Sequence, residues 1–143
     1  VALQRVRKLA ESTALDAGTV AEDPAFKRQL EEAEVQLEAI QYTEFRLMAS
    51  LSKGQNPGPE SPVMKALSAN MQQAISELAV IATGRYAGVH QPEARTVGSN
   101  AAMIGPDAGA MAFTNYFNFR ASSIAGGSDE VQRNIMAKLV LGL

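Results

Sequence analysis

Along most of this chain apolar residues recur three and four positions apart, the spacing that gathers them on one side of a helix. Residues 1–10, VALQRVRKLA, carry that period through Leu3, Val6 and Leu9 or Ala10, and no helix-start signal precedes them. The pattern predicts a helix from Val1 to about Leu15, ended by Gly18 and the polar stretch to Glu22. Such an opening reads as mid-helix, so the N-terminus is expected to be a cut or cleavage point with further chain before it. Asp23-Pro24 then starts a long helix, with a carboxylate at the N-cap and a proline at the first helical position, where its missing N–H costs nothing. The seam of that helix is Leu30, Ala33, Leu37, Ile40, Leu47 and Leu51, closing at Lys53-Gly54. The span predicts roughly 28 residues and about 40 Å.

After the turn GQNPGPES, Ser61-Pro62 marks the start of a third helix, whose seam is Met64, Leu67, Met71, Ala74, Leu78 and Ile81 before Gly84. Residues 85–105 hold no sustained period and read as a long loop, of a length that is more often functional or mobile than merely connecting. Pro106 opens a fourth helix with the apolar face Ala110, Phe113, Phe117, Ala121 and Ile124, broken by Gly126-Gly127. Ser128 caps a fifth, which has Asp129 and Glu130 beside the positive end of its dipole and Val131, Ile135 and Leu139 facing inward. No stretch alternates with period two, and there is no internal repeat. The expected fold is all-α, an up-and-down four-helix bundle with an additional C-terminal helix.

Composition narrows the partners more than the fold. A chain of 143 residues supports one domain with one core, and a net charge of -2 gives no electrostatic footprint for nucleic acid or an anionic membrane. Neither partner is expected. No run approaches the ~18 apolar residues of a membrane span. The absence of cysteine excludes a disulfide framework and a thiolate metal site, and suits a cytoplasmic protein. His90 is the only histidine, lies in a loop and reads as a surface residue, so no metal site of histidines and carboxylates is expected. Glu44 interrupts the seam between Ile40 and Leu47; it reads first as a structural ion pair or a slightly rotated exposed face, and second as a functional carboxylate. Tyr116, Phe117 and Phe119 beside Arg120 suggest core packing, because base stacking lacks the basic surplus that would hold a phosphate backbone. Met64, Met71, Met103, Met111 and Met136 read as gap-fillers, or in one or two cases as lining for an acyl channel.

The chemical information is concentrated in residues 115–143, NYFNFRASSIAGGSDEVQRNIMAKLVLGL. Paired glycines let a flat ligand approach the backbone closely, and the helix start behind them offers unpaired N–H groups to oxygen-bearing ligands. Taken alone, the same residues also read as a helix break with a serine cap. The run Gly127, Ser128, Asp129, Glu130, Val131, Gln132, Arg133, closing on Val140-Leu141-Gly142, resembles the end of acyl-CoA dehydrogenases, where Gly-(Thr/Ser)-x-Glu-(Ile/Val)-Gln-Arg precedes a final helix ending Leu-Gly. The upstream layout agrees with that family over essentially the whole chain.

The resemblance implies that residues 1–143 are a C-terminal helical domain, with the N-terminal helical and β domains absent, and that the heterotetrameric bacterial type is closest. It implies an enzyme that takes the α-proton of an acyl-CoA with a carboxylate while the β-hydride passes to FAD, giving the 2-enoyl-CoA. Electrons then leave through an electron-transfer flavoprotein. Ser128 and Glu130 are implied as FAD contacts, and Gly126 and Gly127 as the lining of the acyl-thioester pocket. Gly126 stands where many relatives carry the catalytic glutamate, and glycine cannot take a proton, so no catalytic residue is assigned in this chain. In other relatives the base lies on the helix preceding Asp23, at a position upstream of Val1. A second departure is at the half-site for a neighbouring subunit's FAD, where Thr13 or a neighbour stands near the family's arginine position, Val80 stands in place of its glutamine, and Thr83-Gly84 replaces its glycine pair. Two assemblies remain open: a homo-oligomer with an altered pocket, and a heterotetramer in which this chain is the non-catalytic partner. The isolated chain is expected to be inactive, to hold no FAD stably and to self-associate through the outer face of its longest helix.

Overall fold

The computed structural model describes residues 2–142, apart from the side chains of Ala94 and Arg95. Val1 and Leu143 lie outside the described residues, and with them the expected start of the first helix. Five helices make up the domain: α1 (Ala2–Ser12), α2 (Pro24–Ser52), α3 (Glu60–Ala82), α4 (Ala112–Phe119) and α5 (Asp129–Leu141). No strand is present among the described residues. The all-α expectation holds.

α2 forms as its sequence dictates. The Asp23 carboxylate accepts from the N–H groups of Ala25 (2.8 Å) and Phe26 (2.9 Å), and Pro24 takes the first helical position. α3 runs antiparallel to α2: Ala25, Phe26 and Gln29 near the start of α2 share a groove with Ile81 near the end of α3, whereas Leu37 and Ile40 share a cavity with Ser68 and Met71. α3 is the hub, packing against each of the other four helices. The buried core gathers where α1, α2 and α3 meet, around Leu3, Val6, Leu9, Phe26, Leu30 and Leu78. Thus α1 to α4 alternate in direction about α3, and α5 adds to the far side.

Several boundaries differ from the sequence pattern. α1 ends at Ser12, because the Thr13 hydroxyl turns back to the Leu9 carbonyl (2.8 Å) and Ala14 pairs with Thr19 in an isolated bridge. α3 starts at Glu60, so Pro62 sits inside its first turn, where its lack of an N–H is equally harmless. Pro106 opens only a 3-10 turn, Asp107–Gly109; α4 begins later and gives way to a second 3-10 turn, Arg120–Ser123. Gly109 interrupts this stretch because its backbone is pressed onto Thr83, where a Cβ would lie 2.7 Å from Cγ2.

The faces of the last two helices also need correction. Phe117 and Ile124 are 59% and 71% exposed, and Ala112 is the buried residue of α4. Val131, Ile135 and Leu139 do not face an interior: all three are exposed, and α5 buries no residue. The period correctly marks an apolar face, yet none of the described residues covers it.

Candidate functional site

The turn between α4 and α5 is built from two left-handed glycines. Gly126 has φ 70° and Gly127 φ 96°, a region that costs other L-residues roughly 1–2 kcal/mol. Upstream, the Ala125 N–H donates to the Ala121 carbonyl (2.9 Å), ending the 3-10 turn. Downstream, Ser128 is the N-cap of α5, its hydroxyl accepting from the Val131 N–H over a long 3.4 Å. The two glycines differ in surroundings. A Cβ on Gly127 would run into the Gln132 amide nitrogen at 2.6 Å, because that side chain folds back toward the Gly126 carbonyl (3.5 Å). A Cβ on Gly126 would meet nothing within 4 Å, so the backbone there is open to an incoming group.

The three polar residues after the glycines have separate roles. Glu130 is exposed, and its carboxyl is held below the usual carboxylate range, first by its own backbone N–H and then by the Ser128 hydroxyl. Asp129 turns the other way and pairs with Lys65 of α3 at 3.0 Å, with side chains 13% and 21% exposed. Sequence reasoning placed Ser128, Glu130, Gly126 and Gly127 together, and they are together in one turn.

It missed what holds the turn. The Lys65 ammonium also donates to the carbonyls of Ser122 (3.2 Å) and Ser123 (3.5 Å). Farther along α3, Gln73 Nε2 donates to the Arg120 carbonyl (3.3 Å). Arg120 answers by donating to the Gln73 carbonyl (2.9 Å) and the Ser76 hydroxyl (3.2 Å), with its guanidinium 4.4 Å from the Tyr116 ring centre. These bonds join positions 44 to 64 residues apart. The one available signal was Lys65, the single basic residue of α3, set among residues of its apolar seam, where an unpaired charge is costly.

Other candidates resolve plainly. Glu44 is on an exposed face and belongs to no ion pair among the described residues. His90 is exposed, and no group of three metal-ligating side chains occurs among the described residues. No described helix is long and apolar enough to cross a membrane. Core packing fails for Phe117, whose exposed ring makes edge contacts with Phe113 and Tyr116. Thr13 and Thr83 are buried and satisfied within the chain, Thr83 by the Ala79 carbonyl (2.8 Å). A Cβ on Gly84 would lie 3.2 Å from the Thr13 methyl, so Thr13 and Gly84 pack together, while the Thr83 side chain lies against Gly109. A separate cavity of about 580 Å³ lies among α1, α2, α3 and α4, with Val6, Ile40, Met71, Ile75 and Met111 in its wall. None of its lining belongs to the glycine turn, which is a distinct site.

Comparison with known proteins bears on both fold and site. Residues 1–141 match the family model of the acyl-CoA dehydrogenase C-terminal domain. No curated protein sequence matches the chain. Among solved structures, one described as the electron transferring flavoprotein of Acidaminococcus fermentans is similar at TM-score 0.75 and 14% identity, covering 98% of this chain and 32% of that one. The ChsE4-ChsE5 complex from Mycobacterium tuberculosis is similar at TM-score 0.73 and 21% identity, covering 99% and 34%. An FAD complex of PigA gives TM-score 0.74 and 16% identity, covering 99% and 32%. At these identities the likeness is one of fold, and the chain spans about a third of the length of each structure.

Proposed function

This chain belongs to the acyl-CoA dehydrogenase family, as its C-terminal domain, and from that premise we propose that the intact protein is an FAD-dependent oxidoreductase converting an acyl-CoA thioester to its 2-enoyl-CoA. The observation that carries the reading is the uncovered backbone at Gly126, with two left-handed glycines leading into the N-terminus of α5. That cradle fits a planar ring and a thioester, since any side chain on Gly126 would project into the open space. Ser128 and Glu130 would hold the flavin, and Gly126 and Gly127 would border the thioester. FAD, when bound, supplies the hydride acceptor.

The chain's own residues contribute orientation and charge stabilisation. The Gly126 N–H is the donor we assign to the thioester oxygen, where enolate charge develops. The turn contributes no base. Glycine has no proton acceptor, Asp129 is engaged by Lys65, and the lowered Glu130 carboxyl is a poorer acceptor than an ordinary glutamate. We assign the base to a carboxylate outside this turn.

The same observations favour a second reading, a non-catalytic partner subunit of a heterotetramer. Thr13 and Gly84 pack together where a neighbour's cofactor would enter, and Gly126 lacks the carboxylate. Either assembly accounts for the outer face of α2, where Val35, Tyr42, Phe45 and Met48 are exposed; self-association of subunits would cover it. A cytoplasmic enzyme passing electrons to an electron-transfer flavoprotein completes the proposal.

The test is purification of the intact protein alone and with a coexpressed homologous subunit, followed by flavin absorbance and acyl-CoA turnover with an artificial electron acceptor. Flavin and enoyl-CoA formation by the protein alone support the first reading. Activity only with the second subunit supports the partner reading. A colourless protein that leaves acyl-CoA untouched in both preparations ends both.

A further inference from the structure

The glycine pair is a hinge by construction, because two consecutive positive-φ residues carry no side chain to pin them. A single cation spans that hinge. The Lys65 ammonium on α3 reaches the Ser122 and Ser123 carbonyls on its upstream side and the Asp129 carboxylate on its downstream side. Both partners of the ion pair are mostly withdrawn from water, where solvent screens a charge pair far less than at the surface. We propose that Lys65 is a positioning residue for the flavin and thioester turn: one ammonium fixes the distance and angle between the two ends of the Gly126-Gly127 hinge.

The inference rests on the function proposed above for that turn. Its physical argument is that the Gly126 N–H and the start of α5 can serve a ligand only if they hold one arrangement before it arrives. Apolar packing does not supply that constraint. α5 buries no residue, and Ile124 and Ala125 are exposed. The Ser128 cap bond is long, and the Gln132 amide reaches Gly126 only at 3.5 Å. Lys65 supplies the remaining tie, since it alone contacts residues on both sides of the glycines with a bond as short as 3.0 Å. Asp129 serves as the anchor and is thereby kept out of the ligand's space, whereas its neighbour Glu130 stays exposed.

The test uses the intact protein with the subunits that copurify with it, as wild type, Lys65→Arg, Lys65→Met, and the double variant Lys65→Met with Asp129→Leu. The double variant leaves no unpaired carboxylate, which keeps the test meaningful should Lys65→Met fold poorly. Two quantities are read: amide hydrogen exchange across residues 122–130, and the visible circular dichroism of bound flavin, which reports how the ring is held. Expected in the double variant are at least a tenfold loss of protection confined to 122–130 and a changed flavin band, with the thermal transition of the whole protein retained. Lys65→Arg should restore most of both. Where acyl-CoA turnover is measurable, kcat should fall by about ten- to a hundredfold with little change in KM, as expected when a reacting group is misplaced by about 1 Å. Unchanged protection and an unchanged flavin band in the double variant would overturn the positioning role while leaving the proposed function intact. A wild-type protein without flavin would overturn the proposed function, and the role of Lys65 with it, before any variant is compared.

Discussion

α3 faces two different worlds. On one side it meets α1 and α2 through Leu78, Ala82, Ile75 and Ala79, in a core that includes Phe26, Leu30 and Val6. On the other side, where it meets α4, α5 and the turns between them, it presents Lys65, Gln73 and Ser76, bonded to backbone carbonyls, Arg120 and Asp129. The first side is held by non-directional burial, which is strong but tolerant of small displacements. The second is held by directional bonds, which fix atoms in place while burying little. Fold stability and site geometry are thus carried by opposite faces of one helix.

The contrast is broken most directly by truncating the core. Phe26→Ala, at a ring that is 3% exposed, is expected to cost about 3–5 kcal/mol and unfold much of the domain, seen as a collapsed urea midpoint. Next in size is Arg120→Met, which removes charged bonds to the Gln73 carbonyl and Ser76 and should cost about 1.5–3 kcal/mol. Its distinguishing sign is faster amide exchange in α4 with the α1–α3 core unchanged. Phe117→Ala sharpens the comparison with Phe26, since the same truncation at an exposed ring should lower the unfolding free energy, measured in urea, by less than about 1 kcal/mol. A cost above 2 kcal/mol there would show that α4 has a hidden apolar anchor.

Smaller effects come from the turn itself. Ser128→Ala should cost about 0.5 kcal/mol, the low end for a cap, because its bond to Val131 is long; exchange in the first turn of α5 would report it. For Glu130 the folded carboxyl lies below its unfolded value, so its contribution to stability is present above the unfolded pKa and is lost as pH falls through the folded one. The group is exposed, so the effect is the smallest here. A titration of the Glu130 side-chain carboxyl resonance that midpoints below an ordinary glutamate, and a slightly flatter acid limb in Glu130→Gln, would confirm the sign.

Much of this was legible from residues alone because the determinants are local. Asp23-Pro24 caps α2 through bonds two and three residues away, Ser128 starts α5, and the glycine run marks the turn. The α4 and α5 faces were legible only in part. Their apolar period is real, but the direction it faces depends on what the helix packs against, and Phe117, Ile124 and Leu139 remain uncovered within this chain. The family motif located the candidate ligand contacts, whereas neither motif nor period pointed to Lys65.

The sequence by itself determined the helices, their order, the hinge at Gly126-Gly127 and the family, since each depends on residues adjacent along the chain. Only the tertiary structure decided that Thr13 packs against Gly84, that Asp129 turns inward while Glu130 stays in solvent, and that one ammonium on α3 ties both ends of the hinge. Those outcomes require groups 57 to 71 residues apart along the chain to meet. Spacing along a chain sets which side of a helix a residue occupies; what that side meets is set by how the helices pack.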